Sequence, residues 1–134
     1  MSHASNCIRS APVLEVSDVR RSEAFYTEKL GFRCHGTWGD PPDFCIVQRG
    51  KVTIMLDRSR DESSPPVNQY WAAYVYVADV EALHREFEAA GVPIVRGPED
   101  MPYGCRDFDV RDPDGHLIGF GQDLDPTPAG PGLG

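Results

Sequence analysis

Apolar and polar residues alternate from Pro12 to Ser17, with Leu14 and Val16 on one face and Val13 and Glu15 on the other. That is the period of a half-buried strand. The period then lengthens. Val19, Ala24, Phe25 and Leu30 fall along one side of a helix that Asp18 caps and Gly31 closes. Three strands are predicted next, at 32–37, 44–48 and 52–57, the last two joined by a turn at Arg49-Gly50. The order then returns: a strand at 71–77, and a helix capped by Asp79, ended by Gly91 and carrying Val80, Leu83, Phe87 and Ala90 on one face. A short strand at 92–96 and a hairpin of 106–111 and 116–122 across Asp112-Pro113-Asp114-Gly115 complete the pattern.

The repeat is written in the residues themselves. Val16-Ser17-Asp18-Val19 leads to Leu30-Gly31-Phe32, and Val77-Ala78-Asp79-Val80 leads to Ala90-Gly91-Val92. Each half alone would be a small open sheet with one helix, so the halves must complete each other's core. The expected fold class is α+β: two tandem βαβββ modules, about 11–57 and 70–124, forming a cupped mixed sheet with helices outside and a groove on the concave side. These make one domain over 11–124. Residues 1–10 read as an N-terminal arm, 58–68 as a polar connection, and 125–134, rich in proline and glycine, as a disordered tail.

Charge narrows the partners. Lys and Arg number 13 against 21 Asp and Glu, a formal net charge of -8, which argues against nucleic acid and favours a cationic or neutral ligand. No apolar run reaches membrane-spanning length and no signal peptide opens the chain, so a cytoplasmic protein is expected. Cys7, Cys34, Cys45 and Cys105 lack metal-finger spacing and are expected as reduced thiols. His3, His35, His84 and His116 are scattered, and structural or surface roles are expected for them.

Over residues 11–122 the chain resembles the vicinal oxygen chelate superfamily, which includes glyoxalase I, extradiol dioxygenases, fosfomycin-modifying enzymes and bleomycin resistance proteins. The likeness rests on the 12–19 segment with Phe25-Tyr26 and Leu30-Gly31-Phe32, on 75–80, and on Arg106-Asp107-Phe108 with Arg111-Asp112-Pro113-Asp114-Gly115. The resemblance implies that any metal ligands would stand at Ala11, Met55, Ala72 and Gly119, none of which offers a hard donor. No metal and no cofactor are therefore expected. Pro12, Asp43-Phe44 and Pro102-Tyr103-Gly104 bring the chain nearest to the metal-free bleomycin resistance proteins. That likeness implies a homodimer, with N-terminal strand exchange left open, whose grooves sequester a flat, cationic drug. The alternative is a lyase, isomerase or dioxygenase acting on a small molecule.

Strand alternation puts Val13, Glu15, Tyr74, Tyr76, Leu117 and Gly121 on the groove face, and Leu14, Val16, Val75, Val77, Ile118 and Phe120 under the helices. The predicted ligand-binding set is Trp38, Phe44, Tyr103, Tyr74, Tyr76, Glu15 and Asp43, with no catalytic residue. Aromatic walls suit a planar ligand, and the acids suit a cation. For Tyr74 and Tyr76 the reading is open between walls and filler of the cup. Glu15 either awaits a cation or pairs with an arginine such as Arg106.

Overall fold

The computed structural model describes residues 3–60 and 65–125. The expected disordered tail beyond Asp125 and the middle of the polar connection lie outside them. The two modules have identical topology. Strands β1 (Val13–Val16), β2 (Arg33–Trp38), β3 (Phe44–Arg49) and β4 (Val52–Arg58) form one sheet in the order β1-β4-β3-β2. Strands β5 (Trp71–Tyr76), β6 (Ile94–Asp100), β7 (Cys105–Arg111) and β8 (Leu117–Asp123) form the other in the order β5-β8-β7-β6. In each sheet the first strand runs parallel to the last and the other pairs are antiparallel. The strands thus form two four-stranded mixed sheets, one per βαβββ module, as the α+β reading expects.

Helix α1 (Val19–Ala24) and helix α2 (Val80–Ala89) start where the capping residues place them. The Asp18 carboxylate accepts from the Arg21 backbone N–H at 3.1 Å, and Asp79 from that of Ala82 at 3.0 Å. Both segments end at glycines with positive φ, +74° at Gly31 and +76° at Gly91, a backbone state that side chains disfavour. Helix α1 runs on into a π-helical turn, Phe25–Lys29, that adds a residue to the turn. The buried residues of this segment, Val19, Ser22, Tyr26 and Leu30, keep helical three-and-four spacing, and Ala24 and Phe25, expected on that face, sit at the core's margin because 100° per residue puts them on other sides.

Strand β6 also departs from expectation, running over Ile94–Asp100 through Gly97 and Pro98. It is an edge strand, and its pairing with β7 shifts register on either side of Arg96. An edge position and a bulge are where a strand tolerates proline.

Leu14, Val16, Val47, Ile54 and Leu56 of the first sheet join Val75, Phe108, Val110, Ile118 and Phe120 of the second in one buried cluster, closed by both helices. Phe87 of α2 meets Phe108 and Phe120 edge-on at 5.8 and 5.2 Å. Each such side chain contributes roughly 1.5–3 kcal/mol by burial. Polar contacts tie the modules around this core. The Tyr26 hydroxyl donates to Asp112 at 3.0 Å, Lys29 donates to the Ala90 carbonyl at 2.8 Å, and Arg49 forks onto Glu86 at 2.7 and 2.8 Å. The Ser17 hydroxyl bonds Asp114 at 2.7 Å, and buried His116 lies 2.6 Å from the Glu15 carbonyl. The faces opposite the helices remain uncovered, and each carries aromatic side chains.

Candidate functional site

On the first sheet the aromatic wall is built at one corner. Trp38 ends β2 in register with Phe44, and their rings lie 5.8 Å apart at 55°. The indole folds back over Gly36, where a Cβ would approach it to 3.0 Å, so this glycine makes the packing possible. Trp38 nonetheless stays 50% exposed, held by its neighbours rather than buried. The wall continues through Ile46 and Met55 to Val13, which lie side by side in register. Asp43 flanks it and pairs with Arg58 at 3.1 Å, both side chains being exposed. Beyond Ile46 and Met55 a cavity of about 310 Å³ is bounded by Ala11, His35, Gln48 and Thr53.

On the second sheet the corresponding face is filled by its own side chains. The Trp71 and Tyr74 rings lie 4.5 Å apart, Tyr103 stands edge-on to Trp71 at 5.9 Å, and Tyr76 edge-on to Tyr74 at 5.2 Å. Tyr74 lies across Gly119 and Gly121: a Cβ at Gly119 would come within 2.8 Å of both Trp71 and Tyr74, and one at Gly121 would overlap the Tyr74 ring. The room that Gly121 was expected to leave for a ligand is occupied by Tyr74. Of the two readings left open for this tyrosine, filling the cup is the one the packing supports.

Beneath the rings sit two buried carboxylates. Asp107 accepts from Tyr74 at 2.8 Å and also from Tyr103 and Arg96, while Asp109 accepts from Trp71 Nε1 at 2.9 Å and Arg96 Nε at 3.3 Å. Desolvation by burial first, and then the hydrogen bonds to Asp107, hold the Tyr74 and Tyr103 phenols well above their ordinary value. Burial alone would lower the Arg96 value, but its bonds to Asp107 and the charges of Asp109 and Asp107 reverse that and raise it. Each acid and each phenol of the network is hydrogen-bonded to another member.

The predicted residues are thus divided. Trp38, Phe44 and Asp43 come together on one sheet; Tyr74, Tyr76 and Tyr103 come together on the other; among the described residues no ring contact joins the two sets. Glu15 stands apart from both, in register with Asp57 and beside a cavity of about 230 Å³ bounded by Asn68, Ala72 and His116. Arg106 bonds Glu81 and, at 3.0 Å, Asp100, so of the two readings left open for Glu15 the pairing with Arg106 does not form. Sequence reasoning missed Trp71, Arg96, Asp107 and Asp109. The two aspartates are two residues apart on β7, opposite Gly121 and Gly119, and that alternation was the available signal.

A cavity of about 610 Å³ lies elsewhere, between the β3–β4 turn and α2. Of the predicted set only Tyr76 borders it, and among its charged walls Arg49 and Glu86 pair with each other. The half-exposed indole makes the first sheet's open face the better candidate. As for a divalent ion, Ala11, Ala72 and Gly119 supply no side-chain donor and Met55 only a thioether, so the residues at these places do not fit one.

Residues 9–120 match the family model for the Glyoxalase/Bleomycin resistance protein/Dioxygenase superfamily. Over 133 residues the chain is 29% identical to a bleomycin resistance protein of Geobacillus stearothermophilus, covering 87% of this chain and 98% of the relative. It is 31% identical over 109 residues to the glutathione transferase FosA of Serratia marcescens, covering 78% of this chain and 73% of that one. Among solved structures it resembles the bleomycin-binding protein of bleomycin-producing Streptomyces verticillus, complexed with copper(II)-bleomycin, at TM-score 0.68 and 28% identity over 85% of this chain and 94% of that one. On this match, which spans both modules, the chain belongs to the glyoxalase/bleomycin resistance protein/dioxygenase superfamily.

Proposed function

We propose that this chain binds a small planar organic molecule, neutral or cationic, against the Trp38–Phe44 wall and holds it without altering it, as a sequestering protein of the bleomycin resistance type. The observation that carries this reading is the half-exposed Trp38 indole, fixed on Phe44 and over Gly36 and flanked by acid. A rigid aromatic platform gives affinity at little entropic cost, and the overall charge of -8 attracts a cation. The bleomycin resistance and bleomycin-binding relatives point the same way. A homodimer belongs to the same proposal, because a second copy would roof an uncovered sheet face on which Val13 lies exposed.

The test is a fluorescence titration with bleomycin, using Trp71→Phe to report Trp38 and Trp38→Phe to report Trp71. Quenching or a spectral shift confined to Trp38 is expected; an unchanged Trp38 signal at saturating drug overturns the assignment. The likeness to FosA favours a second reading, that of an enzyme. Mass analysis of the recovered drug separates them, since sequestration returns it unmodified.

A further inference from the structure

The side chains of Glu23, Cys34 and Cys45 converge beneath α1, on the helix-covered side of the first sheet and away from the aromatic walls. Cys34 lies on β2 and Cys45 on the neighbouring β3, and a bulge at His35 brings both side chains to the same face. Their sulfurs are 3.9 Å apart, and neither is in a disulfide. A Glu23 carboxylate oxygen and both sulfurs all lie within 4.8 Å of one another. Among the described residues no other three such groups meet in this way.

We infer that Glu23, Cys34 and Cys45 form a binding site for a soft or borderline metal ion of the zinc class. Two thiolates held about 2.3 Å from one ion at the tetrahedral angle stand about 3.8 Å apart, which is the separation already present. Among the described residues no hydrogen bond or ion pair occupies the Glu23 carboxylate, so it is available as the third ligand. Cys34 and Glu23 are only partly buried, which leaves an entry path and room for a water as the fourth ligand, while Cys45 is sealed on the core side. Burial first, then Cys34 and Glu23, push the Cys45 thiol up to about 12. On binding, each thiol loses its proton to solvent and the ion's charge balances the two thiolates. The bound ion would clamp α1 onto the β2–β3 hairpin. Oxidation of the same pair to a disulfide is the competing use of these sulfurs, but it gives the carboxylate no part.

The test is titration of the reduced full-length protein with cobalt(II), read by the thiolate-to-cobalt charge-transfer absorption, followed by displacement with zinc. One equivalent of cobalt giving that absorption with tetrahedral ligand-field bands is expected, unchanged in Cys7→Ser, lost in Cys34→Ser and weakened in Glu23→Gln. Because Cys45→Ser alters the core and can fail to fold, cadmium-113 resonance on the unmutated protein supplies a second readout, at a shift typical of two sulfur ligands. Absence of both signals in protein whose thiols titrate as reduced overturns the proposal. So does absorption that survives Cys34→Ser, or protein that yields only a Cys34–Cys45 disulfide under mild peroxide and takes up no metal after reduction.

Discussion

Tyr26, on the π-helical turn of the first module, donates its hydroxyl hydrogen to Asp112, in the β7–β8 turn of the second, at 3.0 Å and out of contact with solvent. The second oxygen of Asp112 accepts from the backbone N–H groups of Asp114 and His116, so the carboxylate organises the turn and ties it to the other half at once. Tyr26 reaches it from the buried face that it shares with Val19, Ser22 and Leu30.

Tyr26→Phe keeps the ring and its packing but strips one oxygen of Asp112 of its donor. A cost of about 1–3 kcal/mol is expected, the usual penalty for a buried acceptor left unpaired. Urea unfolding followed by far-ultraviolet circular dichroism measures it. A variant as stable as the parent would show that this hydrogen bond contributes nothing net to joining the modules.

Asp112 also gives stability a pH dependence. Burial raises its value above the ordinary carboxylate range, outweighing the lowering by His116 and the hydrogen bonds. Between the ordinary value and the raised one the folded protein therefore binds more protons than the unfolded chain. Asp112 thus makes stability fall as pH climbs through that window, with no further change from it above. Asp112→Asn is expected to flatten this part of the profile, measured by unfolding midpoints at closely spaced pH values on the acid side of neutrality.

The aromatic wall on the first sheet is tested by truncation. Trp38→Ala removes a ring that is half exposed and otherwise packed on Phe44 and Gly36, so stability should fall by only about 1 kcal/mol. Binding of a planar ligand should weaken by about 1–3 kcal/mol, the worth of one stacking platform by analogy with bases on aromatic side chains. Calorimetric titration with bleomycin separates the two effects. Equal losses in stability and affinity would mean that the indole is structural.

Local signals were the legible ones. Asp18 and Asp79 announced the helix starts, Gly31 and Gly91 the ends, and alternation separated Leu14, Val16, Ile118 and Phe120 from the residues opposite, because each of these depends on neighbours a few positions away. Tyr26 was legible but passed over: three-and-four spacing from Val19 through Ser22 leads to it and on to Leu30, whereas Ala24 and Phe25, placed on that face, fall off it. The Arg96–Asp107–Asp109 network was invisible for another reason. With 21 acids and 13 bases in the chain, nothing local says which acid a given arginine meets across a sheet. Trp38 and Phe44 were foreseen as walls from their turn and strand start, but their separation from Tyr74 and Tyr103 depends on how the sheets are placed, which periodicity does not encode.

Close approach makes Gly121 a sharper probe of the second sheet than its tyrosine. Gly121→Ala would drive a methyl group into the Tyr74 ring from a central strand whose backbone is held on both sides. Overpacking of this kind costs about 1–3 kcal/mol. Gly97→Ala, on edge strand β6 with nothing within 4 Å of the new Cβ, serves as the matched control and should be near neutral. Thermal unfolding ranks the two. Loss of near-ultraviolet dichroism in the first alone would report displacement of the Trp71–Tyr74 pair.

Among the described residues Arg96 is the one cation paired with two buried carboxylates, Asp107 with a fully buried side chain and Asp109 with one 11% exposed. Arg96→Met keeps much of the apolar stem but leaves both acids without a counter-charge, and removing one partner of a buried pair costs about 3–5 kcal/mol. Two like charges in one low-dielectric site raise each other's proton affinity, so the folded variant should bind protons that the unfolded chain releases. Its stability should therefore recover as pH falls toward the carboxylate range, opposite to the acid-induced loss expected where a pair is broken by protonation. Asp109→Asn added to Arg96→Met should recover part of the loss already at neutral pH. Unfolding midpoints for the parent and both variants decide it: a loss that neither acid nor the second substitution relieves would mean that Arg96 acts through its packed stem, and that the carboxylates need no cation.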